Sequence, residues 1–398
     1  MKNILILGGG FAGVEAAIYL KKQKFNVTLV SDRDYFYIYP TSIWVPTGES
    51  TFENVCIDLK ELQRAHGFSL VIDAVTSISA KKNLVTLESG KIYDDYDYLV
   101  VAMGASKMKH KGLANTLSIC GKPEQSLEIK DKIDALIEKG SGKICFGFGG
   151  NPHDSSAVRG GPGFELLFNV HNQLKKKGIR DNFELTFFAP MPEPGKRMGP
   201  QALKMMDAFF KKYNIHKHYG KKIKQFNKKS IVFEDDTKLD SDFTMFIPAG
   251  DGHSVIKKSD LTTNNAGFIR TNDFSQVLFE KEGEVDSTMP TNIYAVGDIA
   301  SLEGYDWRAK QGHVAEVMAR NVAHNIMQRE LGLNNFKGYH EHLNILCVMD
   351  SGDGAAFVYR DEKRAFMLPM PFIGHWLKKG WGVYCRYSKL GRIPRIPG

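Results

Sequence analysis

Two kinds of chemistry are legible in the residue types of this chain: a phosphate-cradling turn near its start and a sparse set of thiols along its length. Gly8-Gly9-Gly10-Phe11-Ala12-Gly13 has the GxGxxG spacing, between the apolar run Ile4 to Leu7 and a helical pattern that begins at Val14. In such a turn Gly8 permits the tight bend, Gly10 lets a pyrophosphate approach the backbone, and Gly13 lets helix and strand pack closely. Phe11 and Ala12 lie where the helix N-terminus offers free N–H groups and a positive dipole end to phosphate. A bound dinucleotide is the expectation. The second strand ends Leu29-Val30-Ser31-Asp32. Ser31 stands where an acid ordinarily accepts a ribose hydroxyl and Asp32 is one residue on; either can serve, and Asp32 reads equally as a turn residue. The five cysteines are Cys56, Cys120, Cys145, Cys347 and Cys385, with no CxxC pair and no metal-ligand spacing. They read as reduced thiols, neither a disulfide scaffold nor a metal site. Thiolate is the reactive form, so a working cysteine needs a depressed pKa or electropositive surroundings. Cys145 lies mid-strand and reads as core. Cys347 stands in a Gly-rich segment, structural or redox. His313 and His324 read as helix-surface residues.

These residues need elements to hold them. Ile4–Leu7, a helix from Val14 to Phe25 and the strand Val27–Val30 make a βαβ start. Strand-like stretches follow at 68–72 and 83–87, then the buried run Tyr98 to Ala102. A charged helix is predicted from Glu124 to Lys139, ending at Gly140. A second βαβ start opens at Lys143 (KICFGFGG), with a helix from Phe164 to Lys177 and a strand from Glu184 to Phe188. A strand at Ile293 to Val296 precedes a long helix from Gly312 to about Arg329. The fold class is therefore α/β with two Rossmann-like dinucleotide-binding domains. The predicted division is 1–112 with 288–345 as the cofactor domain, 113–287 as the second Rossmann-like domain, and 346–398 as a C-terminal segment.

With 398 residues, 42% hydrophobic and 25% charged, the chain can bury a sizeable core, and disorder is a poor reading. The net charge of +8 is uneven: residues 361 to 398 carry +6 of it. A basic surface confined to one end argues for a local partner and against general nucleic-acid binding. Lys2 and the short run after it are not read as a signal peptide, because three glycines end the run and no small-residue cleavage site follows. No stretch of 18 apolar residues occurs, so no spanning helix is expected.

Further segments carry a family resemblance. Asp97-Tyr98-Leu99-Val100-Val101-Ala102-Met103-Gly104 resembles the strand-plus-ATG element of two-dinucleotide-domain flavoproteins, and Thr291-Asn292-Ile293-Tyr294-Ala295-Val296-Gly297-Asp298 resembles their late flavin motif. The resemblance implies FAD, with Ala102, Met103, Gly104, Gly297 and Asp298 joining the opening glycine turn around it. Tyr35-Phe36, Pro40 to Val45, and Leu346-Cys347-Val348-Met349-Asp350 followed by Gly352 to Phe357 are similar to segments of the sulfide:quinone oxidoreductase family. That family stands beside flavocytochrome c sulfide dehydrogenase and type II NADH dehydrogenase. The resemblance covers about residues 1 to 360 and implies two-electron transfer from sulfide, through redox cysteines and flavin, to a quinone. It gives Cys347 a redox role, makes Glu165 of the Gly161-Pro162-Gly163-Phe164-Glu165 element a proton carrier, and places Lys310 near flavin and quinone. There a cation would stabilise reduced flavin or quinol. The partner cysteine is missing: Arg159 occupies its place. Cys120 matches a third cysteine of some members and is either a replacement partner or structural.

The second glycine turn argues against NADH. A nicotinamide site needs a compact turn entering its helix directly. Here Gly147-Phe148-Gly149-Gly150 is followed by Asn151 to Gly160 before the helix opens, an insertion expected to fill or reshape the cradle. In the tail, Phe366, Phe372, Trp376, Trp381, Tyr384 and Tyr387 interleave with Lys378, Lys379, Arg386, Lys389, Arg392 and Arg395. Rings in the interface and cations on anionic lipid suit a peripheral attachment to a bacterial-type cytoplasmic membrane. Packing on the chain's own domain, or on a second copy in a homo-oligomer, is the competing reading. Gly and Pro interrupt the helical pattern, so a clean amphipathic helix is not assured. The expected partners are sulfide or another small sulfur donor, a membrane quinone and a lipid surface. A type II NADH:quinone oxidoreductase and a non-catalytic flavin-fold binding protein are the alternatives.

Overall fold

A computed structural model of the protein describes residues 1–281, 284–285 and 291–395. In chain order its framing elements are β1 (Asn3–Leu7), α1 (Phe11–Lys22), β2 (Asn26–Ser31), β3 (Ser69–Ile72), β4 (Tyr98–Val101), α2 (Gln125–Lys139), β5 (Gly142–Phe148), α3 (Gly161–Lys176), β6 (Phe183–Ala189), β7 (Ile215–Tyr219), β8 (Phe243–Ile247), β9 (Ile293–Ala295), α4 (Gly312–Glu330), β10 (Ile345–Asp350), β11 (Gly354–Arg360), β12 (Ala365–Pro371) and α5 (Ile373–Lys389).

The short apolar runs become parallel strands because both faces of such a sheet are covered by helices. The first sheet has the order β9-β4-β1-β2-β3, with every pairing parallel. The second has the order β7-β6-β5-β8, again all parallel. The chain leaves the first fold after β4 and returns to its edge at β9, in register with β4 (Ile293 opposite Leu99). The first core also takes in Val255, Ile256, Leu261, Ile269, Val277 and Phe279. The sequence reading put these residues in the second domain, so the return to the first fold begins well before residue 288. Their apolar side chains gave no local sign of which core they would join.

The segment after Leu343 forms an antiparallel sheet, β10-β11-β12, which α5 covers. The doubt over the tail helix is resolved: α5 runs unbroken for 17 residues despite three glycines. Each glycine in a helix costs roughly 1 kcal/mol against alanine. Here two of them permit close packing. A Cβ on Gly374 would lie 2.5 Å from that of Ala355, and one on Gly382 would lie 2.7 Å from Thr41 Cγ2. No helix among the described residues is long and apolar enough to cross a membrane.

Candidate functional site

The opening turn shows which of its glycines serve the protein and which serve a ligand. At Gly8, with φ +114°, a Cβ would sit 2.4 Å from the Ala102 carbonyl oxygen; at Gly13 it would sit 1.8 Å from the Gly8 oxygen. Those two are demanded by packing of β1, β4 and α1. Gly10 has nothing within 4 Å of its Cβ position, and its backbone (φ −88°, ψ −166°) is one any residue adopts. No protein atom therefore requires glycine there. The open volume abuts the start of α1, where the amides of Phe11, Ala12 and Gly13 lack intrahelical acceptors. A pyrophosphate suits this open cradle by charge and donor direction.

The other walls follow the same logic. Gly104, after β4, has φ +71° and open space at its Cβ position, next to Met103. Gly297, with φ +75°, lies between the starts of α1 and α4, 3.1 Å from Ala12 Cβ and 3.3 Å from Ala315 Cβ if it carried a Cβ of its own. Only a glycine brings the Asp298 turn this close to both helix starts. Ser31 is buried with its hydroxyl donated to the Arg33 carbonyl at 2.7 Å, and it packs beneath Gly9. Asp32 is exposed at the rim of the same turn.

The insertion 151–160 folds inward and bridges the two dinucleotide folds. Asn151, Asp154, Ser156 and Ala157 are buried. Asn151 Nδ2 donates to the Gly250 carbonyl at 2.8 Å. Asp154 Oδ1 accepts from the Ser156 amide at 2.9 Å. Ala157 packs with Ala266 and Phe268, and the Arg159 guanidinium forms an ion pair with Asp298. The Phe148 ring fills the space beside Gly160, 2.7 Å from its Cβ position. The residue standing at the family's partner-cysteine position thus reaches the flavin-motif acid.

Cys347 lies on β10, half-buried, and all five cysteines are free. Burial, with the Glu165 carboxylate adding to it and Lys378 opposing, pushes its thiol up to about 12. The resting thiol is protonated, against the expectation of a depressed pKa. Cys120 is buried; burial raises its thiol while Lys107 and Arg159 oppose the rise. Cys145 is core, as its mid-strand position predicted, and its Sγ lies 3.6 Å from the Asp240 carbonyl.

Glu165 is buried on α3 beside Cys347. Its Oε1 accepts from the Asp350 amide at 2.8 Å and from the Lys378 ammonium. Burial raises its carboxyl, with Lys378 opposing. Asp350 is fully buried and accepts from Asn169 Nδ2 (3.0 Å) and the Gly352 amide (2.9 Å), while its Oδ2 lies 2.6 Å from His375 Nδ1. Sequence reasoning missed Asp350, His375 and Lys378 as site residues, because their partners come from elements far away in the chain. Lys310 is buried, its Nζ donates to the Ala300 carbonyl and lies 3.9 Å over the Phe268 ring. Burial, tempered by Asp154, brings its ammonium down to about 7. His313 and His324 bond Asn344 Oδ1 and the Asn335 carbonyl, both at 2.8 Å.

Four of the six tail cations assigned to a lipid face turn inward. Lys378 meets Glu165, Lys389 and Arg395 meet Glu15 of α1, Lys389 also meets Glu316 of α4, and Arg386 donates to the carbonyls of Glu53 and Cys56. Half-exposed Lys379 lies 3.4 Å from Glu49. The outward face is instead apolar. Phe372 (78% exposed), Ile373, Trp376 (70%), Leu377, Trp381, Val383 and Tyr387 recur at helical spacing on one side of α5. Burying a cation on an acid inside the protein leaves less charge for lipid than the composition implied.

A phosphate cradle at the head of α1, with an acidic turn packed against the same helix start, defines the class: a flavin-dependent oxidoreductase, with FAD as its resident cofactor. Residues 2–324 match the pyridine nucleotide-disulphide oxidoreductase family, and the chain belongs to it. It is 27% identical over 382 residues to a sulfide-quinone reductase of Aquifex aeolicus (strain VF5), covering 90% of this chain and 84% of that one. It is 21% identical to a type II NADH:quinone oxidoreductase of Staphylococcus epidermidis, covering 92% and 93%. Among solved structures, the sulfide:quinone oxidoreductase from the hyperthermophilic bacterium Aquifex aeolicus superposes with a TM-score of 0.85 at 25% identity, covering 98% of this chain and 92% of that one.

Proposed function

We propose that this chain takes two electrons from sulfide at Cys347 and delivers them, by way of FAD, to a membrane quinone. The observation that carries the reading is the grouping of half-buried Cys347 with the buried Glu165–Lys378 pair: one thiol with a proton acceptor and a cation in electrostatic reach. A persulfide forms on Cys347 when its S–H and the S–H of a sulfide each give up hydrogen as a proton. The two electrons released reduce a quinone, which takes up two protons to become a quinol. FAD, when bound, supplies the acceptor that links these halves.

The chain's own groups do the rest. Gly10 and the first amides of α1 seat the pyrophosphate, Asp32 receives the adenine-side ribose, and Asp298 receives the ribityl chain. Asp32 is preferred to Ser31 because Asp32 is exposed at the rim of the turn whereas Ser31 is buried beneath Gly9. Glu165 takes the thiol proton at its carboxylate. Lys378 stabilises the negative charge that develops on sulfur, which a thiol held at about 12 needs. Lys310 faces the site as a cation that shares its proton readily near neutral pH. The apolar face of α5 sits in the headgroup boundary of a bacterial-type cytoplasmic membrane and brings a lipid-soluble quinone to the chain.

NADH as donor is the second reading, supported by the likeness to type II enzymes. The inward-folded insertion at 151–160 opposes it. Mixing the yellow holoprotein anaerobically with sulfide, and separately with NADH, tests the assignment. Sulfide should bleach the visible flavin band and NADH should not. Bleaching by NADH alone replaces the donor, and a flavin unaffected by both returns the chain to a binding role.

A further inference from the structure

Three cations from separate segments converge on the insertion. The two-residue strand Ser106–Lys107 pairs with Gly250–Asp251, placing Lys107 opposite Gly250. The Cβ position of Gly250 is 3.4 Å from Ala157 Cβ, so Lys107 enters beside the insertion that carries Arg159. Lys310 joins from the other side: its amide donates to the Ser156 carbonyl at 3.1 Å. The compensation is uneven. Arg159 holds Asp298, and Lys310 reaches a carbonyl and a ring with the buried Asp154 carboxylate in electrostatic reach. Lys107 is half-buried and its ammonium has no hydrogen bond or ion pair among the described residues.

The charges act against each other. Burial, and then Arg159, drive the Lys107 ammonium down to about 8, and Arg159 also works against Lys310. Gathering like charges in a half-buried region costs stability, and such a concentration is typical of a place where an opposite charge docks. Beside it, Gly161 begins the 16-residue helix α3 with nothing within 4 Å of its Cβ position. The head of that helix adds its positive end to the same region. Cys120 lies within electrostatic reach of Lys107 and Arg159.

We propose that Lys107, Arg159 and Lys310 form a binding site for a small anion, of the carboxylate or sulfur-oxyanion class, on the Cys120 side of the flavin cradle. The site stands where a related sequence would carry a second redox thiol. It deepens the sulfide reading, on which its role as a second-substrate site rests, by giving an anionic small molecule a place beside Cys120. The binding itself does not depend on which donor reduces the flavin.

The test uses holoprotein, so that the phosphates of FAD are already seated and cannot be the anion measured. Sodium thiosulfate and sodium acetate are titrated separately at constant ionic strength set with sodium chloride. Binding is read by the flavin difference spectrum and by calorimetry. At least one probe should saturate at a Kd below about 1 mM. Lys107→Met and Arg159→Cys should each weaken it about tenfold or more, and Arg159→Lys should keep most of it. Lys107→Met touches no residue of the pyrophosphate cradle, so it carries the test if Arg159→Cys fails to retain FAD. Absence of saturation with both probes, or wild-type affinity in Lys107→Met, overturns the site. Sulfide bleaching is measured on the same protein. Lost bleaching with intact anion binding removes the donor assignment alone, and intact bleaching without anion binding removes the site alone.

Discussion

The contrast between Gly10 and Gly13 makes a sharp test of the cofactor cradle. A methyl at position 10 enters open space on an ordinary extended backbone. In the flavin-free chain, Gly10→Ala should therefore be neutral or stabilising by about 0.4–1 kcal/mol, through the lost freedom of the unfolded chain. With FAD the same methyl occupies the volume the pyrophosphate needs and pushes it off the amides of α1. Losing one or two charge-assisted hydrogen bonds costs about 1.5–3 kcal/mol each, or at least about tenfold in FAD affinity. Gly13→Ala behaves in the opposite sense. Its methyl would lie 1.8 Å from the Gly8 oxygen, so β1 and α1 must separate, and the flavin-free fold itself loses stability. The assay is thermal unfolding of both variants without flavin, followed by FAD titration monitored by flavin fluorescence. Wild-type FAD affinity in Gly10→Ala would refute the cradle, as would a flavin-free Gly10→Ala chain that melts as early as Gly13→Ala.

Four further outcomes follow from the site and the tail helix. Because the Cys347 thiol is held at about 12, its alkylation by iodoacetamide should be slow at neutral pH and rise about tenfold per pH unit through the alkaline range; a rate already maximal at pH 7 contradicts the environment described. Lys378→Met leaves Glu165 buried with only the Asp350 amide, and should cost about 3–5 kcal/mol, largely recovered in Lys378→Met/Glu165→Gln. Burial already raises the Glu165 carboxyl, so the folded chain binds that proton more tightly than the unfolded chain. Stability of Lys378→Met should accordingly fall as pH rises from the ordinary carboxylate range through the raised one, and melting curves at acid and neutral pH check the sign. Vesicle binding should survive high salt and neutral lipid, and should drop with Trp376→Asp/Phe372→Ser, since the outward face of α5 is apolar; release by salt alone would return the role to the tail's cations.

Local features of the sequence were enough for the opening βαβ unit and its phosphate cradle, while FAD followed from the resemblance of the later motifs. Ile4–Leu7, the glycine turn and the helix after it are neighbours in the chain, and their period and turn chemistry act over a few residues. The same holds for β9 with its Gly-Asp turn, whereas the strand that carries Cys347 read only as part of a Gly-rich segment. Tail composition was misleading because the charge of a lysine says nothing of its partner. Lys389 meets Glu15 across 374 positions and Lys378 meets Glu165 across 213. Tertiary structure alone decided which cations turn inward, that Val255, Ile256, Leu261, Ile269, Val277 and Phe279 join the first core, and that Arg159 closes on Asp298. Each of these is a contact between distant segments, set by how two sheets and a late helix pack, and no short window of residues contains both sides of it.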